Sequence, residues 1–158
     1  MAKLLGSRLP AAVLSVLAAE ARRQPQGQCI ILVTVDPDGN ACPCVLSVGE
    51  MLAVDDRTLR VVLWPGSTTT GNLDRGHPVL FVFAAPPDVF YVRAAPTRLP
   101  DAPNSSLARF EFAVSSVEVD GHDGMPVTHP MWFAAREDLR DEVLAMWANQ
   151  VDALQYEG

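Results

Sequence analysis

The sequence is poor in cysteine and in positive charge. Only three cysteines occur in 158 residues, Cys29, Cys42 and Cys44. An odd and sparse count does not build a disulfide scaffold and is typical of a reducing compartment, so we expect a cytoplasmic protein. Twelve Lys and Arg against 19 Asp and Glu give a formal net charge of −7. Without a basic stripe, this balance argues against nucleic-acid and anionic-membrane partners.

The apolar run near the N-terminus, residues 11–19, is too short to span a membrane. It continues into charged residues, and its apolar positions follow a helical spacing, which is not the pattern of a signal peptide. The positions are Val13, Val16, Leu17 and Ala21. We therefore predict an amphipathic N-terminal helix, with Ser7 as a cap and Pro10 near the first turn.

Motifs of several common site types are missing. The histidines His77, His122 and His129 follow no zinc-binding spacing, and the tripeptide 42–44 (Cys-Pro-Cys) has no second ligand pair. We therefore predict no metal site. The sequence has no G-x-S-x-G elbow, Walker loop or G-x-G-x-x-G fingerprint in a suitable context. A hydrolase triad, a nucleotide hydrolase and a Rossmann dehydrogenase are thus disfavoured.

What the sequence does contain is a series of short strand-like segments. Its 49% hydrophobic residues suffice for the core of one domain covering residues 1–158. We predict six strands, at residues 28–35, 41–48, 59–64, 79–84, 89–97 and 107–119. The second strand continues over 51–54 beyond a kink at Gly49, and Gly39 supplies a positive φ in the first turn. With a final helix from about residue 135, the pattern predicts a mainly β, antiparallel barrel.

The segment with the most chemical information is residues 64–72, which we call the hydroxyl segment. It contains four consecutive hydroxyl residues, 67–70, between Gly66 and Gly71, and leads into a predicted short helix at 70–75. Glycines allow close approach of a ligand, and hydroxyls with helix N-terminal N–H groups suit a phosphate monoester. Loop and cap roles for the same residues are the alternative interpretation.

The order of these features resembles a known family. The motifs "TVDPDGN", "VVLW" and "NLDRGHPVLFVF", within residues 30–97, resemble the split-barrel flavoproteins related to pyridoxamine 5′-phosphate oxidase, and flavin reductases more than that oxidase itself. The resemblance implies a six-stranded antiparallel split β-barrel with N- and C-terminal helices. It also implies an FMN site at a homodimer interface, with the phosphate on the hydroxyl segment and the ring along strand 44–47. The implied cofactor-binding residues are Val45, Leu46, Ser47, Trp64, Ser67, Thr68, Thr69, Thr70 and Asn72.

One departure from the family concerns charge. Thr69 and Thr70 stand where relatives carry Arg or Lys. A phosphate monoester carries about −1.5 to −2 charges, which hydroxyls do not neutralise. Arg60, Arg75, Arg93 or an arginine of a partner subunit could supply the positive charge.

The resulting hypothesis is an FMN-dependent oxidoreductase with NADH or NADPH as electron donor and no assigned catalytic side chain. Three alternatives stay open. The barrel could bind heme, with His122 or His129 as axial ligand; it could bind a deazaflavin; or it could be a cofactor-free binding or regulatory dimer. His129 is the best acid–base candidate. Tyr91, with Arg93 two residues on, could approach a ligand. Trp132 could stack on the flavin or cover the open end of the barrel, but packing between the final helix and the barrel is the favoured interpretation.

Overall fold

The computed structural model describes all of residues 1–158 and consists mainly of β-structure. The ten strands are β1 (Lys3–Gly6), β2 (Gln26–Gln28), β3 (Ile30–Val35), β4 (Ala41–Leu46), β5 (Met51–Ala53), β6 (Thr58–Leu63), β7 (Val79–Ala85), β8 (Asp88–Arg98), β9 (Ala108–Asp120) and β10 (Trp132–Ala134). The α-helices are α1 (Ala11–Val16), α2 (Thr68–Asp74) and α3 (Arg140–Gln155), and short 3-10 helices occupy Ala19–Arg23, Val48–Glu50 and Glu137–Leu139.

The main sheet is antiparallel and curls on itself. Its strand order is β4-β3-β7-β8-β9-β6-β5, and β1 pairs with the distal part of β9. The two edge strands, β4 and β5, follow each other in the chain and are separated by only residues 47–50. So short a link spans less than about 20 Å, so the sheet must curl until its edges lie close together. This architecture confirms the predicted split barrel with helices near both ends of the chain.

Most predicted strands are confirmed, and the first hairpin has the expected turn. Strands β3 and β4 pair from Ile30 opposite Leu46 to Val35 opposite Ala41, and Gly39 has a φ of +86°. The prediction of six strands missed β1, β2 and β10. Residues 24–27, with Pro25 and Gly27, have a sequence that favours a break in regular structure, yet β2 pairs with β10 in a separate two-stranded ribbon. Strands of three or four residues carry too little periodicity to be recognised.

Three other predictions need correction. The N-terminal helix is shorter than expected, because α1 ends at Val16 before a 3-10 helix, and its N-cap is Pro10 without a side-chain cap, not Ser7. The buried face is nevertheless the predicted one, with Val13 and Leu17 fully covered. The final helix α3 starts at Arg140. Residues 51–54 do not extend β4, because β5 pairs with β6 at the opposite edge of the sheet.

The core lies inside the curled sheet and is dominated by phenylalanines. Phe81 and Phe112 meet edge to face, with ring centroids 5.0 Å apart. The nearly continuous apolar sequence of β7 predicts burial on both faces, but only the face with Phe81 and Phe83 is fully buried. Leu80 and Val82 on its other face are partly exposed. The outer face of this part of the sheet is therefore apolar without being covered.

Helix α3 closes the barrel next to the link between β4 and β5. The indole of Trp147 lies directly on Gly49, and the ring of Phe133 packs edge to face on the same indole at 5.4 Å. The aromatic residue that packs on the final helix is thus Phe133 and not Trp132, whose side chain is 58% exposed. None of the helices combines the length and the apolar character that crossing a membrane requires.

Candidate functional site

The hydroxyl segment connects the end of β6 to the start of α2, and part of it is used to build the helix start. Ser67 is the N-cap of α2, and its Oγ accepts a 3.1 Å hydrogen bond from the Thr70 backbone N–H. The Thr70 hydroxyl is buried and donates to the Trp64 carbonyl oxygen at 2.8 Å. The Ser67 hydroxyl in turn donates to Thr70 Oγ1 at 3.0 Å. Ser67 and Thr70 therefore hold the segment in shape.

Thr68 and Thr69 are the free part of the segment. Thr68 is exposed and Thr69 is half-buried, and their backbone N–H groups have no partner within the chain. A Cβ placed on Gly66 or on Gly71 would meet no atom within 4 Å, so the space beside the segment is open. Two hydroxyls and two backbone N–H groups without a hydrogen-bond partner in the chain suit an anion with several oxygen atoms.

The Thr69 hydroxyl also lies close to β4, beside the Cys44 thiol on the inward face of that strand. Burial raises the pKa of Cys44, the Thr69 hydroxyl opposes this shift, and the charge of Glu50 adds to it. The thiol thus stays protonated near neutral pH and is a poor nucleophile. The contact brings together two stretches, 44–47 and 64–72, that the sequence analysis connected only through a family resemblance.

Asn72 fixes α2 to the sheet. Its Nδ2 donates to the Thr34 hydroxyl at 2.9 Å, and its Oδ1 accepts from Arg75 Nη2 at 2.8 Å. Both Asn72 and Thr34 are buried. With both halves of its carboxamide engaged, Asn72 positions the helix that carries Thr68 and Thr69.

The predicted ring-binding residues of β4 have three different environments. Val45 points outward and is 59% exposed, whereas Leu46 points into the core. The backbone N–H and the hydroxyl of Ser47 both donate to the Glu50 carboxylate, at 2.6 and 2.8 Å. The sequence analysis missed this role of Glu50. The signal was available, because Ser-x-x-Glu is the pattern of a capping box.

None of the three candidate cations faces the free threonines. Arg60 is buried in ion pairs with Glu111 and Glu157 on the other side of the barrel. Arg93 pairs with Glu118 at 2.7 Å. Arg75 lies at the opposite end of α2 and donates to the Val35 carbonyl oxygen at 2.8 Å. The hydroxyl segment therefore offers hydrogen-bond donors, and none of these three cations lies beside it.

The remaining polar candidates lie elsewhere. His122 and His129 are exposed in the irregular segment between β9 and β10, where each bonds a near neighbour, Gly124 or Thr128. No group of three His, Cys, Asp or Glu side chains is arranged to hold a metal ion. The Tyr91 hydroxyl donates to Asp120 on the outside of the sheet at 3.1 Å. The Trp64 side chain is 67% exposed at the start of the hydroxyl segment.

The outer face of the sheet next to β4 carries a row of apolar side chains. Val45 of β4 stands opposite Ile31 of β3, which in turn stands opposite Val82 of β7. Leu80 and Val33 form the next row. Residues in register on neighbouring strands project from the same face, so these side chains form one continuous patch, which we call the outer apolar patch.

Comparison with known proteins identifies the fold. No protein-family model matches the chain. A solved structure of a candidate pyridoxamine 5′-phosphate oxidase from Lactobacillus delbrueckii superposes with a TM-score of 0.59 and 20% identity, over 74% of this chain and 98% of that one. Another, from Listeria innocua, gives a TM-score of 0.51 and 12% identity, over 70% and 96%. The chain thus has the split-barrel fold of the pyridoxamine 5′-phosphate oxidase-like proteins, which confirms the resemblance at the level of the fold.

The chain is also similar in sequence to an uncharacterized protein. The uncharacterized protein YclD of Bacillus subtilis is 24% identical over 134 residues, which cover 84% of this chain and 86% of that protein.

Proposed function

We propose that the protein binds FMN and acts as a flavin-dependent oxidoreductase. The observation that carries the proposal is the junction of the hydroxyl segment with β4. There, the hydroxyls and N–H groups of Thr68 and Thr69 have no hydrogen-bond partner in the chain, Thr69 lies beside Cys44 of the edge strand, and the space next to Gly66 and Gly71 is open. A phosphate on these groups would leave the ring of the cofactor to extend along β4 toward Val45 and Ser47.

The hydrogen-bond donors of Thr68 and Thr69 suit the oxygen atoms of the FMN phosphate. The two threonines offer four N–H and O–H groups, and each hydrogen bond to a charged phosphate contributes about 1.5–3 kcal/mol. The bound flavin would supply the electron-transfer chemistry, with NADH or NADPH as the donor. The protein's own part would be to fix the phosphate, orient the ring on β4 and exclude water from it.

The missing positive charge points to a second subunit. The outer apolar patch begins at Val45, next to the proposed ring position, and leaves a continuous apolar surface in contact with water. A second copy of the chain packed on this patch would cover it and could bring a basic side chain to the phosphate. The proposed FMN site is therefore one of a homodimer.

Titration of the purified protein with FMN, followed by flavin fluorescence, tests the proposal. We expect saturable binding, weakened tenfold or more when Thr68 and Thr69 are both replaced by alanine. Replacement of Thr97, an exposed threonine on β8, is the matched control and should leave the affinity unchanged. Equal affinities of the wild type and the double variant would place the phosphate elsewhere.

A cofactor-free binding or regulatory dimer is the second candidate. It is favoured by the internal use of the hydroxyls of Ser47, Ser67 and Thr70, which the predicted FMN site counted as ligands. This candidate predicts a colourless protein that takes up no FMN at any concentration tested, but still forms a dimer through the outer apolar patch.

A further inference from the structure

A cleft lies between the β2–β10 ribbon and helix α1. Its volume is about 460 Å³, which is within the range of small-molecule sites. Gln28 of β2 forms part of its lining. Gln28 precedes β3, whereas Thr34, which anchors α2, lies near the end of that strand. The cleft thus lies at the opposite end of β3 from the hydroxyl segment, and Val48 of its lining follows Ser47, toward which the proposed flavin ring would extend.

Trp132 and Gln28 form the recognition groups of this cleft. They are directly opposite each other in the β2–β10 pairing, so their side chains project from the same face of the ribbon. Trp132 is 58% exposed, whereas Gln28 is only 8% exposed. Phe133 projects from the opposite face and packs on Trp147. The ribbon is therefore anchored on one side and presents an open indole beside a buried carboxamide on the other.

The orientation of the Gln28 carboxamide is fixed. Its Nε2 donates a 2.5 Å hydrogen bond to the Ala84 carbonyl oxygen, so the nitrogen and the oxygen of the amide cannot be exchanged. No donor of the chain reaches the Gln28 Oε1, and this atom is not sealed from solvent. A rigid acceptor without a partner, at the edge of an exposed indole, needs a donor from water or from a ligand.

The side chains that line the cleft limit the charge that a ligand can carry. None of the residues that line the cleft carries an ionisable side chain, although the chain as a whole has a net charge of −7. Val16 and Val48 provide apolar walls, and the Ser15 hydroxyl lies at the α1 side. A charged ligand would lose hydration there without finding a counter-charge. A flat, uncharged ring could stack on the indole of Trp132.

We propose that this cleft binds a neutral heteroaromatic ring that carries an amide or ring N–H group. The ring stacks on Trp132, and its N–H donates to Gln28 Oε1. Nicotinamide is a suitable probe, and nicotinate is its matched control, because it keeps the ring but replaces the donor with a carboxylate that Gln28 Oε1 repels.

The test is a titration of ¹⁵N-labelled protein with each probe, followed by NMR. We expect nicotinamide to shift the indole N–H signal of Trp132 and the side-chain amide of Gln28 saturably, with a Kd in the millimolar range expected for so small a ligand. Nicotinate should bind at least tenfold more weakly. Trp132→Ala should abolish the binding of nicotinamide, and Trp132→Phe should retain it in part.

Met131→Ala is the control variant, because it removes an exposed apolar side chain next to Trp132 that does not line the cleft. Its affinity for nicotinamide should equal that of the wild type. The proposal is overturned if nicotinamide gives no saturable shift at Trp132, if nicotinate binds equally well, or if folded Trp132→Ala binds nicotinamide like the wild type.

Discussion

The carboxamide of Asn72 donates a 2.9 Å hydrogen bond to the hydroxyl of Thr34, and both side chains are buried. This bond joins α2 to the end of β3, and Arg75 adds a second link by donating to both Asn72 and the Val35 carbonyl oxygen. The position of the hydroxyl segment against β4 therefore depends on a buried polar contact and not only on apolar packing.

Replacing Thr34 with valine tests this contact. The change keeps the shape of the side chain but leaves the Asn72 amide without its buried acceptor, so the free energy of unfolding should fall by about 1–3 kcal/mol. Thr97→Val, at an exposed strand position, is the control and should change it by less than about 0.5 kcal/mol. Urea denaturation measures the stability of both variants. A Thr34→Val variant as stable as the wild type would show that the contact contributes nothing.

Gly49 is a second sensitive position, because it lies under an indole. A Cβ at this residue would overlap Cδ1 and Cγ of Trp147, so the aromatic ring would have to move. We expect Gly49→Ala to destabilise the protein by about 1–3 kcal/mol. In the control variant Gly71→Ala, the new methyl group meets no atom within 4 Å and lies in helix α2.

Gly71→Ala should therefore leave the free energy of unfolding unchanged or raise it by up to about 1 kcal/mol. If Gly49→Ala unfolds at the same denaturant concentration as Gly71→Ala, the packing of α3 on the β4–β5 link is not as described.

The strands could be predicted from sequence because each long strand alternates or is continuously apolar between strong turn residues. The order of the hairpins then determines most of the sheet. The edge pairing of β5 with β6 could not be predicted, since three residues carry no register information. Trp132 and Phe133 illustrate the same limit: adjacent aromatic residues on a strand face opposite ways, and the sequence does not say which one faces the core.

For the candidate site, the sequence indicated the hydroxyl segment, but it did not show which of its hydroxyls bond within the chain and which stay free. Four consecutive hydroxyl residues look equivalent, yet Ser67 and Thr70 complete the start of α2, whereas Thr68 and Thr69 stay free. The outcome depends on where the helix begins, and helix ends are the least certain feature of a sequence-based prediction.

The ion pair of Arg60 with Glu157 should make the free energy of unfolding depend on pH in the acidic range. The two guanidinium N–H groups of Arg60 donate to the two carboxylate oxygens at 3.0 and 3.2 Å, which lowers the pKa of Glu157 below its ordinary value of 4.5. Because the folded-state pKa is the lower one, the stabilisation is present above about pH 4.5 and is lost as the pH falls through the folded-state value.

We therefore expect Glu157→Gln to be less stable than the wild type at pH 7, with a difference that shrinks as the pH falls below about 4.5. Thermal unfolding of both proteins across this range measures the difference. A difference that stays constant with pH would mean that the carboxylate does not act through its charge.

Homodimer formation through the outer apolar patch can be tested at Val45, which is 59% exposed at one end of it. A lysine there would place a charge in the interface, so Val45→Lys should sediment as a monomer at concentrations at which the wild type is a dimer. Val54→Lys, at an exposed position after β5, is the control and should not change the oligomeric state. Identical sedimentation of wild type and Val45→Lys would place the interface elsewhere.

The central claim is that Thr68 and Thr69 hold a phosphate. The most direct measurement compares the affinities of the wild-type protein for FMN and for riboflavin, which differ only in that group. We predict that FMN binds at least tenfold more tightly than riboflavin, and that the ratio falls toward one in the Thr68→Ala/Thr69→Ala variant. Equal affinities for the two flavins in the wild type, or no binding of either, would contradict the account.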